Sequence, residues 1–286
     1  VDQLQGGPCP ATAPGHVLWI SVCCSSATLA VWASAWLHGA AASDDALDAL
    51  QAWGEDHEVV AGDDAAAAAF DLPLTGNLPA GPAALLAALR ARSATGAVLV
   101  LPVPGDVRGL GGPGPFGEAA VRAGEAVVFT GTGFGAVPQA IAEGLVRWTV
   151  HAGGDSAPPP SSGIGEAEHA LTDAIRDSAG ALQALDVASE RTGVRAELSA
   201  RLRARPELSW PAGTPGRSLR VLQRAEEVGA ILALAQGDEP GGALSASAAI
   251  QRADALRPLA EAVRTARCSA VNEAARAFAD QGDLTP

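Results

Sequence analysis

Asp106 and Arg108 are the only charged residues in Leu101 to Gly117, LPVPGDVRGLGGPGPFG, where ten of seventeen residues are Gly or Pro. A carboxylate and a guanidinium two positions apart can clamp an anion through the arginine or neutralise each other across a turn. The loop holds no nucleophile. Proline fixes φ and glycine permits positive φ, so their alternation specifies one backbone path, and defined loops on rigid scaffolds are where binding sites gather.

A second glycine-rich string, GTGFGA from Gly131 to Ala136, contains Gly131, Gly133 and Gly135 and fits the G-x-G-x-x-A spacing. After a strand and before a helix, such amides can cradle a phosphate or dinucleotide. Glu125 to Thr130 reads as the strand, and the apolar residues after Ala136 read as a helix that Pro138 shortens. The ribose-binding acid expected about twenty residues on would have to be Asp155, so a plain glycine turn is the simpler reading. His151 closes a run containing Trp148 and could serve as an acid or base, or as a satisfied polar residue at a strand end.

Other chemistry finds little support. His16, His38, His57 and His169 are scattered without metal spacing. Cys9, Cys23, Cys24 and Cys268 form no C-x-x-C half-site, so no metal is expected and the thiols read as reduced and structural. No P-loop, G-x-S-x-G elbow or H-E-x-x-H occurs, and no cofactor is named by any motif.

The elements that must position these residues divide the chain in two. Residues 1–15 read as a mobile leader, 16–152 as an α/β domain, 153–165 (with APPPSSG) as a linker and 166–286 as a helical domain. In the front half, strands are expected at Val17 to Val22, His57 to Val60, Ala97 to Leu101, Glu125 to Thr130 and Leu145 to Val150. Helices are expected at Ala27 to Leu37, from Ser43 to Gly54, at Pro82 to Arg92 and at Phe116 to Ala123. Ala61 to Gly81 is left as a variable connection. Alternation of strand and helix predicts a short parallel sheet.

The rear half changes period. Val221, Ala225, Val228, Leu232 and Ala235, then Leu256, Leu259, Val263, Ala266 and Ala270, step by threes and fours. Such stripes predict an antiparallel helical bundle, making the whole chain α+β.

The chain carries a net charge of −13, with 15 acidic residues against 5 arginines through Asp155 and 17 against 14 afterwards. An acidic surface repels phosphate backbones, which argues against nucleic acid as a partner. Arg191 to Arg224 is a basic exception; it could dock an anionic partner or serve as ordinary surface in a chain without lysine. Val17 to Leu37 has 21 uncharged residues, enough to cross a bilayer, but no Lys or Arg occurs before Arg90 to orient insertion. A buried strand and helix explain the run, and a cytoplasmic location is expected.

Heavy use of Ala, Arg, Gly and Pro, with Lys, Met and Tyr absent, is the mark of GC-rich coding. The strings LPVPGDVRGLGGPGPFGEAAVRAGEAVVF, RSLRVLQRAEEVGAILALA and ALRPLAEAVRTAR resemble a group of uncharacterised actinobacterial proteins. That resemblance implies a source but no activity or catalytic residue.

The reading that follows is a binding or interaction protein whose Gly/Pro loop shapes a surface for an anionic small molecule or a protein. The alternative is an enzyme acting on an anionic substrate at 101–117 and 131–136. Parallel neighbouring strands would bring Asp106 and Arg108 to face Gly131 to Gly135. Loops on opposite edges would make the small-molecule reading fail and a protein-partner role the better account.

Overall fold

The computed structural model describes residues 24–153, 162–184, 193–237 and 246–282. The front half contains α1 (Ser25–Leu37), α2 (Ser43–Leu50) with a 3-10 turn (Gln51–Trp53), β1 (Asp56–Ala61), α3 (Asp64–Phe70), α4 (Pro82–Ala91), β2 (Gly96–Val100), α5 (Pro115–Ala123), β3 (Ala126–Thr130), β4 (Phe134–Ala142) and β5 (Leu145–Ala152). Helices α6 (Ile164–Ala184), α7 (Val194–Arg203), α8 (Gly216–Gly237) and α9 (Ala246–Gly282) follow. Among the described residues no strand lies beyond Gly165, as the change of period predicts. The expected leader at 1–15, the expected strand at Val17 to Val22 and most of the APPPSSG linker lie outside the described residues.

The five strands form one sheet in the order β1-β5-β4-β3-β2. Only β1 and β5 run parallel; β5–β4, β4–β3 and β3–β2 are antiparallel. The expected parallel sheet is therefore corrected to a mixed, mostly antiparallel one. A β–helix–β sequence normally gives parallel neighbours because the helix carries the chain back to the starting edge. Here the loop after β2 makes the return. Phe116, at the start of α5, already lies against Gly135 and Gly153, near the end where β3 finishes, and α5 then leads back so that Ala126 enters beside Val100.

Strand β4 stands where a helix was read. Gly131 and Gly133 (φ +82° and +76°) form a hairpin turn in which the Thr132 hydroxyl donates to the Phe129 carbonyl at 2.8 Å. A dinucleotide fingerprint requires a helix after its glycines. Pro138 is tolerated in β4 because β3 pairs only with Phe134 to Ala136, leaving that side without a neighbour further on.

Helix α1 is buried from Ser25 to Trp36, lying against the sheet on one side and α9 on the other, which explains why its sequence has no polar face. Among the described residues no helix is long and apolar enough to cross a membrane. The main core runs without a break from sheet residues such as Leu99, Phe129 and Trp148 through α1 to Val263 and Phe278 of α9. A smaller cluster on the opposite face gathers Val100, Leu110, Phe116, Ala120, Ala126 and Val137.

Both sheet edges are covered. Along β1, Val59 exchanges backbone hydrogen bonds with Ala80. Along β2 the covering groups are side chains: Ser34 Oγ accepts from the Ala97 amide at 3.0 Å, and Asn272 of α9 accepts from the Leu99 amide (2.7 Å) and donates to its carbonyl (3.1 Å). An amide side chain thus takes the place of a sixth strand.

Candidate binding cleft between the Gly/Pro loop and helix α9

The chain leaves β2 through the turn Val103-Pro104-Gly105-Asp106, closed by reciprocal backbone hydrogen bonds of 3.0 and 2.8 Å. Pro104 supplies the fixed φ of its second position and Gly105 the positive φ (+88°) of its third, the requirements of a type II turn. This fixes Asp106. Its carboxylate accepts from Arg108 Nε at 2.8 Å and Nη2 at 2.7 Å, and its Oδ2 lies 2.7 Å from Arg264 Nη1 of α9. Arg264 also donates to the Leu101 carbonyl at 3.3 Å. The Arg108 hydrogen bonds, with Arg264 assisting against a smaller desolvation cost, hold the Asp106 carboxyl well below the usual carboxylate range.

Loop and helix together enclose a cleft of about 780 Å³. Asp106 and Arg264 sit within it, their side chains about one-fifth exposed, whereas Arg108 at the mouth is 68% exposed. Arg257 and Glu261 of α9 complete the mouth, with Glu261 3.8 Å from Arg108 and Arg257 3.3 Å from Asp254. Arg267 forms part of the inner wall, ion-paired to Glu226 of α8 at 2.7 Å. Cys268 beside it has its thiol pushed up to about 11 by burial, which leaves it unreactive at neutral pH.

The other sequence candidates gather elsewhere. Gly131, Gly133 and Gly135 follow the end of β3, and His151 ends β5 beside Gly135, so they occupy the sheet edge opposite to the exit of β2. The two glycine-rich loops therefore do not converge, because β2 and β3 run in opposite directions, and the small-molecule site expected between them is overturned. A Cβ at Gly135 would come within 2.4 Å of the Phe116 ring, and one at Gly153 within 2.7 Å, so these glycines admit a phenyl group. His151 is buried over Gly62, its ring centroid 6.4 Å from that of Phe116, and its Nδ1 is 3.9 Å from Asp63. Burial lowers its pKa and favours the neutral ring. Asp63 is already engaged by the Ala66 and Ala152 amides at 2.8 and 2.9 Å. Among the described residues no group of three or more His, Cys, Asp or Glu could hold a metal ion.

The Arg-rich segment is placed mainly on the surface of the helical region. Arg201 and Arg217 pair with Glu197 and Glu168, and Arg205 turns inward to Glu226. These partners all belong to the rear half.

Two family models match the chain: the N-terminal domain of the Rv1486c-like protein over residues 26–162, and its C-terminal domain over residues 165–268. The chain belongs to the Rv1486c-like protein family. Family relatives include the uncharacterised protein Rv1486c of Mycobacterium tuberculosis, 39% identical over 276 residues, covering 87% of this chain and 96% of that protein. Another is the uncharacterised protein ML1804 of Mycobacterium leprae, 34% identical over 287 residues with the same coverage. No solved structure matches. The resemblance to actinobacterial proteins is thereby made specific.

In this member of the family, Arg257, Arg264 and Arg267 are the cleft residues that reading the sequence missed. They are spaced seven and three apart, which places them on one face of α9. That spacing was available beside the apolar stripe. What no local pattern offered was their meeting with a loop far earlier in the chain.

Proposed function

We propose that the protein binds a small organic anion in the cleft between the Gly/Pro loop and α9. The observation that supports this is the sharing of one carboxylate, Asp106, by two guanidinium groups, Arg108 and Arg264. Paired one to one, the charges would cancel. Glu261 also faces Arg108 at 3.8 Å, but the lining sets four arginines, Arg108, Arg257, Arg264 and Arg267, against the two carboxylates Asp106 and Glu261, which leaves it positive beside a recess of ligand size. Arg108, exposed and hinged between Gly105 and Gly109, is the group free to swing onto a ligand while Arg264 keeps Asp106 in place.

Binding is favoured over catalysis by the chemistry of the lining. Asp106 is locked as an ionised ion-pair partner, and Cys268 behind the wall holds its proton, so neither is poised to transfer a proton near neutral pH. Thermal-shift measurement against carboxylates, phosphates and phosphorylated metabolites tests the reading. At least one anion should stabilise the wild type, and Arg108→Ala should weaken that ligand by about 1.5 to 3 kcal/mol while Arg220→Ala on α8 leaves it unchanged. If no anion stabilises the protein, the loop is better read as a surface for a protein partner.

A further inference from the structure

Building on the reading of the cleft as an anion site, we infer that its ligand is an aliphatic anion, a single carboxylate or phosphate head carried on a saturated hydrocarbon body. The charged groups are confined to the Asp106–Arg108–Arg264 cluster, the mouth and the Arg267 wall. The remaining surface is built mainly from Val103, Pro104 and Val107 with two glycines, backed by Leu101, Ala260 and Val263, which are buried. None of the described residues lining the cleft is Ser, Thr, Asn, Gln, Tyr or His.

This composition discriminates among anions. A sugar phosphate or hydroxy acid entering the cleft would bring hydroxyls whose only side-chain partners are charged groups already engaged in ion pairs, and a hydroxyl laid on the apolar wall loses water without return. A nucleotide would find no aromatic face on which to stack its base. A hydrocarbon chain meets neither difficulty and gains from covering the apolar wall. Val107 fits this picture: a branched aliphatic residue placed between Asp106 and Arg108 is 51% exposed, so the charged head and an apolar lip stand side by side.

Calorimetric titration of the full chain with straight-chain carboxylates and alkyl phosphates, from ethyl to octyl and below their micelle concentrations, tests the inference. Affinity should rise about fourfold per added methylene until the cleft is filled. Val107→Ser should flatten that rise, and Arg108→Ala should weaken every member about tenfold or more. Comparing the two head groups at equal chain length separates a carboxylate site from a phosphate site. If short anions bind but lengthening the chain adds nothing, the aliphatic inference is overturned and the anion site stands. If octanol binds as well as octanoate and Arg108→Ala changes neither, the cleft is merely apolar and the anion reading falls. If no member of the series binds, the aliphatic inference is overturned, and the anion reading falls with it only if the thermal-shift screen also finds no anion.

Discussion

The two glycine-rich loops of this protein use the same residue for opposite ends. After β2, Gly105 and Gly109 bend the chain so that Asp106 and Arg108 stand against Arg264, and the result is an open cleft. After β3, Gly131 and Gly133 close a hairpin and Gly135 clears space for Phe116, and the result is a closed packing site. One loop creates access and the other removes it. A glycine pattern therefore reports that something approaches the backbone closely, while its surroundings decide whether that is a ligand or a neighbouring side chain.

This contrast can be broken most severely at the packed edge. Phe116→Ala should destabilise the fold by about 3 to 5 kcal/mol in urea denaturation, because a fully enclosed ring is lost. Gly135→Ala should cost about 2 to 3 kcal/mol by overpacking against that ring and the Val127 carbonyl. Combining the two should cost measurably less than their sum, since the shortened side chain relieves part of the clash. Strict additivity would mean that Gly135 does not exist to admit Phe116.

At the β2 edge and in the cleft the expected effects are smaller. Asn272→Ala should cost about 2 kcal/mol, by leaving the Leu99 amide and carbonyl without partners. Asp106→Asn should cost about 1 kcal/mol, since its partners remain partly solvated. It should also change the acid limb of the stability curve. The folded protein holds Asp106 below its unfolded-chain value, so its contribution is intact above about pH 4 and is lost as pH falls further. The Asn variant should lack that component of the acid decline, checked by denaturation midpoints across the range. Arg108→Ala should leave stability within about 0.5 kcal/mol of wild type while weakening anion binding about tenfold or more, the signature of a residue kept for binding.

Much of the front half was legible because its signals are local. Pro82 opens α4 at the position where a missing amide costs nothing, and Gly124 ends α5 in the left-handed conformation. The apolar run of β3 and the stripes of α8 and α9 likewise identify their elements. Strand β4 was hidden by Gly135 and Pro138, both strand breakers, whose presence makes sense only once Phe116 and the short reach of β3 are known. Strand direction was hidden too, because the crossing from Leu101 to Gly114 has no periodicity to announce it. In the site, Asp106 and Arg108 were legible as a local pair. Arg264 was not, since its role arises only when α9 is laid along β2.

That placement of α9 makes the front half dependent on the rear for its manners. Stripped of residues beyond 162, the sheet would lose Asn272 from the outer amide and carbonyl of Leu99, while Ser34 would still cover the Ala97 amide, and the opened stretch at Leu99 is where another such chain could pair. The apolar flank of α1 would be uncovered at the same stroke. The two family segments read as separable modules along the chain, yet in three dimensions the helical half covers one sheet edge and a flank of α1 in the other.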